Sequence, residues 1–178
     1  MNKQDVVAVV LGGPSSEAEV SRRTGGAIAE ALREKGYNAV EVELVPEKLV
    51  EQLREIDAKV VFNAVHGMYG EDGRLQSILE AIKMPYTGSG VLASAVAMDK
   101  VATKRFLISA NISTPKCLMY NKRFDNDMAK IEKEIIATFG VPVVIKAADQ
   151  GSSIGVEIVT EEADVAAALE NTFKYSDL

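Results

Sequence analysis

The chain has 178 residues, of which 47% are hydrophobic and 26% are charged, as in an ordinary globular protein with one large domain or two small ones. Its formal net charge of -6 argues against a broad surface for nucleic acid or for anionic membranes. A single cysteine, Cys117, excludes an internal disulfide, and no apolar run is long enough for a signal peptide or a membrane span, so we expect a cytoplasmic protein.

Strand and helix patterns alternate through the first half of the chain. Short β-branched or alternating runs predict strands at residues 6–11, 39–44 and 59–65. Apolar side chains at helical spacing predict helices at residues 20–35, 49–56 and 75–82, the first ended by Gly36. This alternation predicts right-handed crossovers and a parallel sheet, which is an α/β fold.

Two polar loops, at residues 12–19 and 66–73, each follow the end of a predicted strand. Ligands of parallel α/β sheets bind beyond the carboxyl ends of the strands, so we expect both loops to line one rim. Glu17 could hold a substrate ammonium group there. His66 is the only histidine, and a lone histidine is usually structural. Its position at a strand end, in a loop with three glycines, strengthens the case for substrate contact.

Three other acidic residues near this rim have simpler interpretations. Glu19 is expected to stabilise the dipole of the first helix. Glu71 and Asp72 could bind a metal in principle, but capping of the helix that follows them is the preferred interpretation.

The pattern changes after about residue 95, where we place a domain boundary that separates residues 1–95 from residues 96–178. Helices are predicted at residues 93–110, which include Lys100, and at residues 128–139 and 164–173. Strands are predicted at residues 115–120, 141–147 and 154–159, the last two around a tight turn at 148–153. This half is predicted to be α+β, with a hairpin in place of a crossover. Such a unit offers a thin core, so more protein is expected to follow.

The turn after residue 147 has the composition of a phosphate-binding loop. Lys146 ends an apolar strand and is followed by Gly151-Ser-Ser-Ile-Gly155. Glycines and serines in a turn expose backbone N–H groups and hydroxyls that can close over phosphate oxygens, and a neighbouring lysine adds positive charge. A lysine that simply reaches solvent from a plain hairpin is the alternative. The combination favours phosphate binding.

Three other motifs are weaker. Residues 151–155 also match the G-x-S-x-G elbow of serine hydrolases, but that motif needs a strand–turn–helix context and a later histidine, and both are missing. Residues 12–16 resemble a dinucleotide loop without its third glycine. A P-loop is absent from the sequence.

Five stretches, in this order, resemble the D-alanine–D-alanine ligases of the ATP-grasp superfamily. They are Leu11-Gly-Gly-Pro-Ser-Ser-Glu-Ala-Glu-Val-Ser21, Asn63-Ala-Val-His-Gly-Met-Tyr-Gly-Glu-Asp-Gly73, Pro85-Tyr-Thr-Gly-Ser-Gly90, Met98-Asp-Lys100 and Val144-Ile-Lys-Ala-Ala-Asp-Gln-Gly-Ser-Ser-Ile-Gly155. The resemblance implies a Rossmann-like preATP-grasp domain with a parallel sheet, followed by the α+β central subdomain of the ATP-grasp fold, whose C-terminal part is absent from this sequence.

The resemblance also implies roles for matched residues on the substrate side. Glu17 would bind the ammonium group of the first D-alanine, and His66 would hydrogen-bond the same molecule. Ser152 would be linked to Glu17 in a catalytic hydrogen-bond network, which makes Glu17 and Ser152 the catalytic candidates.

On the nucleotide side, the resemblance implies that Lys100 and Lys146 contact the ATP phosphates. Gly151 and Ser152 would belong to a mobile loop over the phosphates, and Ser153 would contact the nucleotide as well. The family also uses Mg²⁺ or Mn²⁺, with ligands expected in the later segment and none in this chain.

The activity implied is ATP-dependent ligation of two D-alanine molecules through an acyl-phosphate, for peptidoglycan synthesis, by a homodimer. Two departures from the family pattern matter. Ala147 replaces the usual proline after the strand lysine, which changes backbone stiffness but not charge. The family's later segment is not in this sequence, so we expect the 178-residue chain alone to be inactive.

Two alternatives stay open at this point. The family includes relatives that join D-alanine to D-lactate or D-serine, and the residues that choose the second substrate lie outside this sequence. A non-catalytic nucleotide-binding fragment is the other alternative, and it would need neither Glu17 nor His66.

Overall fold

The computed structural model describes residues 2–178, which form two compact units. The first unit ends at Ala97 and the second spans Met98–Leu178. No helix within the described residues is both long enough and apolar enough to cross a membrane.

A three-stranded parallel sheet forms the centre of the first unit. Its strands are β1 (Val6–Leu11), β2 (Asn38–Glu43) and β3 (Ala58–Asn63), in the spatial order β2-β1-β3. Its helices are α1 (Ala18–Glu34), α2 (Leu49–Glu55), α3 (Arg74–Ala81) and α4 (Val91–Met98). The predicted α/β fold with a parallel sheet is confirmed.

Both faces of this sheet are covered. Ala8 and Val10 of β1 pack in a cluster with α2 and α3 residues such as Leu53 and Leu75. Val9 points to the other face and packs with Ala29 of α1. The sequence of β1 is apolar without alternation because its side chains are buried on both sides.

Glycine ends the first helix as predicted. Gly36 adopts a positive φ of 80°, a conformation that most other residues avoid. The N–H groups of Gly36 and Tyr37 donate to the carbonyls of Arg33 and Leu32, which satisfies the last turn of α1. The chain can then turn directly into β2.

The second unit packs a β-hairpin against two helices. Its elements are α5 (Lys100–Ser109), α6 (Met128–Phe139), β4 (Val143–Lys146), β5 (Val156–Val159), a short 3-10 turn (Glu162–Asp164) and α7 (Val165–Thr172). Strands β4 and β5 are antiparallel, which confirms the predicted hairpin. Ile131 and Ile135 of α6 and Leu169 of α7 form the core under its inner face.

The outer face of this hairpin is open within the second unit. Val144 and Ile158 face each other across the two strands and are 49% and 73% exposed. Lys146 lies on β4 two residues beyond Val144 and is also exposed. Successive side chains of a strand alternate between faces, so the lysine and the two apolar residues share the outer face.

The helix predicted at residues 93–110 is in fact two helices, so that prediction was wrong. Asp99 interrupts it with an extended backbone, φ -88° and ψ 109°. The Asp99 carboxylate accepts hydrogen bonds from the N–H groups of Val101 and Ala102, at 2.8 and 2.9 Å. This is an N-cap that starts a new helix, and it makes Lys100 the first residue of α5.

The strand predicted at residues 115–120 was also wrong. Within residues 2–178 these six residues belong to no strand, and β4 pairs with β5. Leu118 and Tyr120 still pack against the core of the second unit. A strand needs backbone partners as well as a side-chain pattern, and in the described chain this segment has none.

The connection between β4 and β5 is longer than predicted. The two strands end and begin at Lys146 and Val156, so residues 147–155 form a nine-residue loop in place of a tight turn. We call these residues the glycine–serine loop.

Candidate functional site

Two loops at the carboxyl edge of the parallel sheet are tied together by one buried serine. Ser21, on the first turn of α1, is fully buried. Its Oγ accepts a hydrogen bond from the N–H of Gly12 at 2.8 Å and donates to the carbonyl of Ala64 at 2.7 Å. Gly12 follows β1 and Ala64 follows β3, so the structure brings the two predicted loops together.

Glu17 lies directly against the second of these loops. It precedes α1, and its side chain makes no capping hydrogen bond to the helix. A Cβ atom added to Gly67 would lie 2.7 Å from Glu17 Oε2 and 2.8 Å from Ser15 Oγ. The carboxylate therefore lies close to the Gly67 backbone, and the positive φ of 68° at this position favours glycine.

His66, the neighbour of Gly67, faces the same helix. Its Nε2 lies 3.2 Å from the Oγ1 of Thr24, one helical turn beyond Ser21. Both Glu17 and His66 are half-buried. The structure thus places a carboxylate and an imidazole at one edge of the first unit, where the sequence predicted them.

An ion pair between α1 and β2 also contacts the first loop, at residues 12–19. Arg22 of α1 binds Glu43 at the end of β2 at 2.8 Å, and Glu43 also accepts a hydrogen bond from the Gly13 N–H at 3.2 Å. The hydrogen bond from Arg22 lowers the pKa of Glu43, against the opposing effect of burial. A side chain at Gly12 would overlap the Glu43 carboxylate. Glu43 therefore links α1 to the first loop.

Of the two acidic residues in the second loop, Asp72 supports the start of the helix that follows, and the capping role predicted for Glu71 stays a prediction. Asp72 accepts hydrogen bonds from the N–H groups of Arg74, the first residue of α3, and of Tyr69, at 3.1 and 3.0 Å. Within residues 2–178 no group of three or more His, Cys, Asp or Glu side chains is arranged to hold a metal ion.

The glycine–serine loop of the second unit exposes a run of backbone donors. Among the described residues, the N–H groups of Gly151, Ser152 and Ser153 have no hydrogen-bond acceptor. Ser152 adopts a positive φ of 55°, and both serine side chains are exposed. Consecutive free N–H groups in a turn form a concave site for an anion, as in many phosphate sites.

Two lysines flank this loop but differ in their surroundings. Lys146 is exposed at the end of β4. Lys100 is partly buried, and its Nζ donates to the carbonyls of Gln150 at 2.6 Å, Ala147 at 2.9 Å and Ala148 at 3.5 Å. Burial, and then the positive charge of Lys146, hold the pKa of Lys100 below its ordinary value. An added anion would relieve the repulsion between the two lysines.

Beside these lysines lies a cavity of about 590 Å³, enclosed by residues of the second unit. Its apolar walls include Leu118, Ile135 and Phe173, and it is also lined by Lys100, Lys104, Lys116 and Lys146. This volume lies within the range of roughly 300–1,000 Å³ typical of small-molecule sites. The cavity offers an apolar surface next to a cationic, N–H-rich loop, which suits a ligand with a flat apolar part and a phosphate part.

Tyr120 is one of the residues that line the cavity. Burial and the nearby charge of Glu134 raise the pKa of Tyr120 to about 12, so its hydroxyl stays neutral at ordinary pH. Lys104, on the same side, donates to the Pro115 carbonyl at 2.6 Å and to Thr114 Oγ1 at 3.0 Å. Lys104 therefore holds the start of the 114–120 segment.

Sequence reasoning missed several of these residues. Ser21 is polar but lies on the buried stripe of α1, with Gly25 and Ala29. A polar residue in a buried stripe signals a required hydrogen-bond partner, so this signal was available. Nothing in the local sequence pattern singles out Thr24 or Lys104, because their hydrogen-bond partners are brought close only by the tertiary fold.

The order of these two units defines a class of protein. A Rossmann-like parallel sheet with polar groups at its strand ends, followed by an α+β unit with a lysine-flanked loop, is the arrangement of ATP-grasp proteins. Family comparisons narrow the class. A model described as D-ala D-ala ligase N-terminus matches residues 43–89, and one described as D-ala D-ala ligase C-terminus matches residues 106–177. The chain belongs to the D-alanine–D-alanine ligase family.

Individual relatives agree with this assignment. A D-alanine–D-alanine ligase of Moorella thermoacetica is 46% identical over 170 residues, which cover 95% of this chain and 55% of the relative. A crystal structure of the Bacillus anthracis D-alanine–D-alanine ligase matches with a TM-score of 0.83 and 34% identity, over 97% of this chain and 55% of that one. The same enzyme complexed with ATP matches with a TM-score of 0.81 and 32% identity, over 97% of this chain and 56% of that one. The chain spans about half the length of the curated relatives it matches.

Proposed function

We propose that this chain supplies the first D-alanine site and part of the ATP site of a D-alanine–D-alanine ligase that makes a peptidoglycan precursor. The observation that carries the proposal is the glycine–serine loop, with three consecutive free N–H groups beside two lysines. The similarity to a ligase whose structure is complexed with ATP supports a nucleotide as the anion.

On the nucleotide side, Lys146 and the loop residues Gly151, Ser152 and Ser153 bind phosphate oxygens. The lysine supplies charge, and the N–H groups supply directed hydrogen bonds. Lys100 contributes positive charge from beneath the loop. The apolar walls of the cavity are suited to the base of the nucleotide.

On the amino-acid side, Glu17 binds the ammonium group of the first D-alanine, and His66 hydrogen-bonds the same molecule. The closeness of Glu17 to Gly67 supports this, because Gly67 is the neighbour of His66 in the chain. The hydrogen bond predicted between Ser152 and Glu17, and the predicted homodimer, stay predictions.

The proposed reaction has two steps. A carboxylate oxygen of D-alanine attacks the γ-phosphorus of ATP, the bond from phosphorus to the β,γ-bridging oxygen breaks, and ADP leaves. The amine of a second D-alanine then attacks the acyl carbon, a C–N bond forms, and the C–O bond to phosphate breaks while the amine loses a proton. Negative charge builds up on phosphoryl oxygens in both steps, and the lysines and N–H groups stabilise it. The Mg²⁺ or Mn²⁺ that the resemblance implies, with its ligands in the family's later segment, stays a prediction.

Calorimetric titration of the chain with ATP and then with D-alanine tests the proposal. We expect ATP to bind, and Lys146→Met to weaken that binding by about tenfold or more, because a charge-assisted contact to phosphate is lost. Lys133→Met, on an exposed position of α6 away from the cavity, is the matched control. Failure of the unmodified chain to bind ATP would contradict the proposal.

Glu17→Gln tests the amino-acid site separately. We expect D-alanine binding to weaken roughly 10- to 100-fold, because the ammonium group loses its carboxylate. Glu19→Gln removes an exposed carboxylate of the same helix turn and should leave binding unchanged. If ATP binds and D-alanine has no effect, the chain is a nucleotide-binding module.

A product assay with D-alanine, D-serine and D-lactate, on protein of the relatives' full length, identifies the second substrate.

A further inference from the structure

Two nitrogen atoms of Lys100, the backbone N and the side-chain Nζ, donate hydrogen bonds to the glycine–serine loop. Its backbone N–H donates to the Ala148 carbonyl at 2.9 Å. Its ammonium group donates to the carbonyls of Gln150 and Ala147 at 2.6 and 2.9 Å, with the Ala148 carbonyl further away at 3.5 Å. An ammonium group has three N–H donors, and here two of them make short hydrogen bonds to loop carbonyls.

The bond to Gln150 fixes the direction of a neighbouring donor. The carbonyl of Gln150 and the N–H of Gly151 belong to one peptide group, which is planar and trans. In such a group the C=O and N–H bonds point in opposite directions. When the Gln150 oxygen is held by Lys100, the Gly151 N–H must therefore point away from Lys100. Gly151 is the first of the three free donors.

The other supports of the loop lie on either side of this peptide. The Ala147 N–H donates to the Gly155 carbonyl, and the Ala148 N–H donates to the Leu178 carbonyl, both at 2.8 Å. The Gln150 side chain donates to the Tyr175 carbonyl at 3.1 Å. None of these bonds holds the Gln150 carbonyl. Among the described residues Lys100 is its hydrogen-bond donor.

We infer that Lys100 is a positioning residue, which orients the Gln150–Gly151 peptide so that the Gly151 N–H faces the phosphate site. This role acts through the loop backbone and is additional to the positive charge that Lys100 places near the anion. The inference rests on the proposed function for the identity of the anion. The orientation of the peptide itself does not depend on any ligand.

Residue-resolved hydrogen exchange, measured by NMR on the 178-residue chain without nucleotide, tests the inference. We expect Lys100→Met to raise the exchange rates of the Ala147 and Ala148 amides by about tenfold, because the loop loses its charged support. Exchange at Val159 and Leu169, in the core of the same unit, should be unchanged and serves as the control for folding. Lys146→Met removes the other lysine and should change loop exchange less than about twofold, since its exposed side chain holds no loop carbonyl in the described residues.

A direct measurement covers the case in which Lys100→Met does not fold. In the unmodified chain, the ¹⁵N signal of the Lys100 ammonium should show a through-hydrogen-bond coupling to the Gln150 carbonyl carbon. Absence of that coupling overturns the inference. So does equal loop exchange in the unmodified and Lys100→Met chains, even if ATP binding falls, because Lys100 would then be a simple phosphate ligand.

The two proposals fail separately. If the unmodified chain does not bind ATP but Lys100→Met still speeds loop exchange, the proposed function is wrong and the positioning role stands. If ATP binds with loop exchange unaffected by Lys100→Met, the positioning role is wrong.

Discussion

The two units present polar groups to a ligand in different ways. In the first unit, the loops that carry Glu17 and His66 rest on a sheet covered on both faces and are joined through a fully buried serine. In the second unit, the donors lie on a nine-residue loop beside a hairpin with one open face, and a partly buried lysine holds the loop. The first arrangement fixes its groups by packing and neutral hydrogen bonds, whereas the second adds a charged donor to the neutral hydrogen bonds that hold its loop.

The largest expected effect tests the difference in packing. Leu75 is fully buried between α3 and the sheet, whereas Ile158 is 73% exposed on the open face of the hairpin. We expect Leu75→Ala to lower the free energy of unfolding of the first unit by about 2–5 kcal/mol, because a cavity replaces buried contacts. Ile158→Ala should change the stability of the second unit by less than about 0.5 kcal/mol. Urea unfolding followed by NMR signals of each unit measures both, and a cost for Ile158→Ala close to that of Leu75→Ala would contradict the comparison.

A smaller effect is expected at the serine that joins the two loops. Ser21→Ala leaves the Gly12 N–H and the Ala64 carbonyl without their partner, at a cost of about 1–3 kcal/mol. Ser109→Ala removes an exposed hydroxyl that bonds the Phe106 carbonyl and serves as the matched control, with a change within about 0.5 kcal/mol. Thermal unfolding compares the two variants. Equal stability of Ser21→Ala and the unmodified chain would show that the serine is not a structural link.

The smallest effect concerns charge in the first unit. The pKa of Glu43 is lowered in the folded protein, chiefly by its hydrogen bond from Arg22. The ion pair therefore adds stability that is fully present above the unfolded-state pKa of Glu43, 4.5, and is lost as the pH falls through the lower folded-state value. Both side chains are nearly half exposed, so the contribution is small and weakens with salt.

Glu43→Gln tests this charge directly. We expect the variant to be slightly less stable than the unmodified chain at neutral pH and equal to it at strongly acidic pH, in urea titrations at low ionic strength. A stability difference that stays constant from neutral to acidic pH would assign the effect to packing of the side chain.

The strands and helices of the first unit could be predicted because their patterns are local. Residues 6–11 form an unbroken apolar run, and α1 has helical spacing with a terminal glycine. The second unit was harder. The apolar residues of α4 run into α5 without a break in pattern, and one aspartate cap separates the two helices. A strand at residues 115–120 depends on a backbone partner, which a local pattern cannot supply.

For the candidate site, too, the features set by local patterns could be predicted and those set by tertiary contacts could not. The meeting of Glu17 and His66 at one edge followed from the rule that parallel strands end together. The bonds that hold the site did not follow. Ser21 and Ala64 are 43 positions apart, and Lys100 and Gln150 are 50 apart. Such pairs depend on how the elements pack, which no spacing in a single sequence reveals.

The buried hydroxyl of Ser21 limits how the edge of the sheet can move. If the segment after β1 moved away from the segment after β3, the buried Gly12 N–H or the Ala64 carbonyl would lose its hydrogen-bond partner, at a cost in free energy. Moving the two segments together keeps both hydrogen bonds, so we expect them to move as a unit. We therefore expect any opening for a ligand at this edge to come from side chains on the outer surface of the two segments.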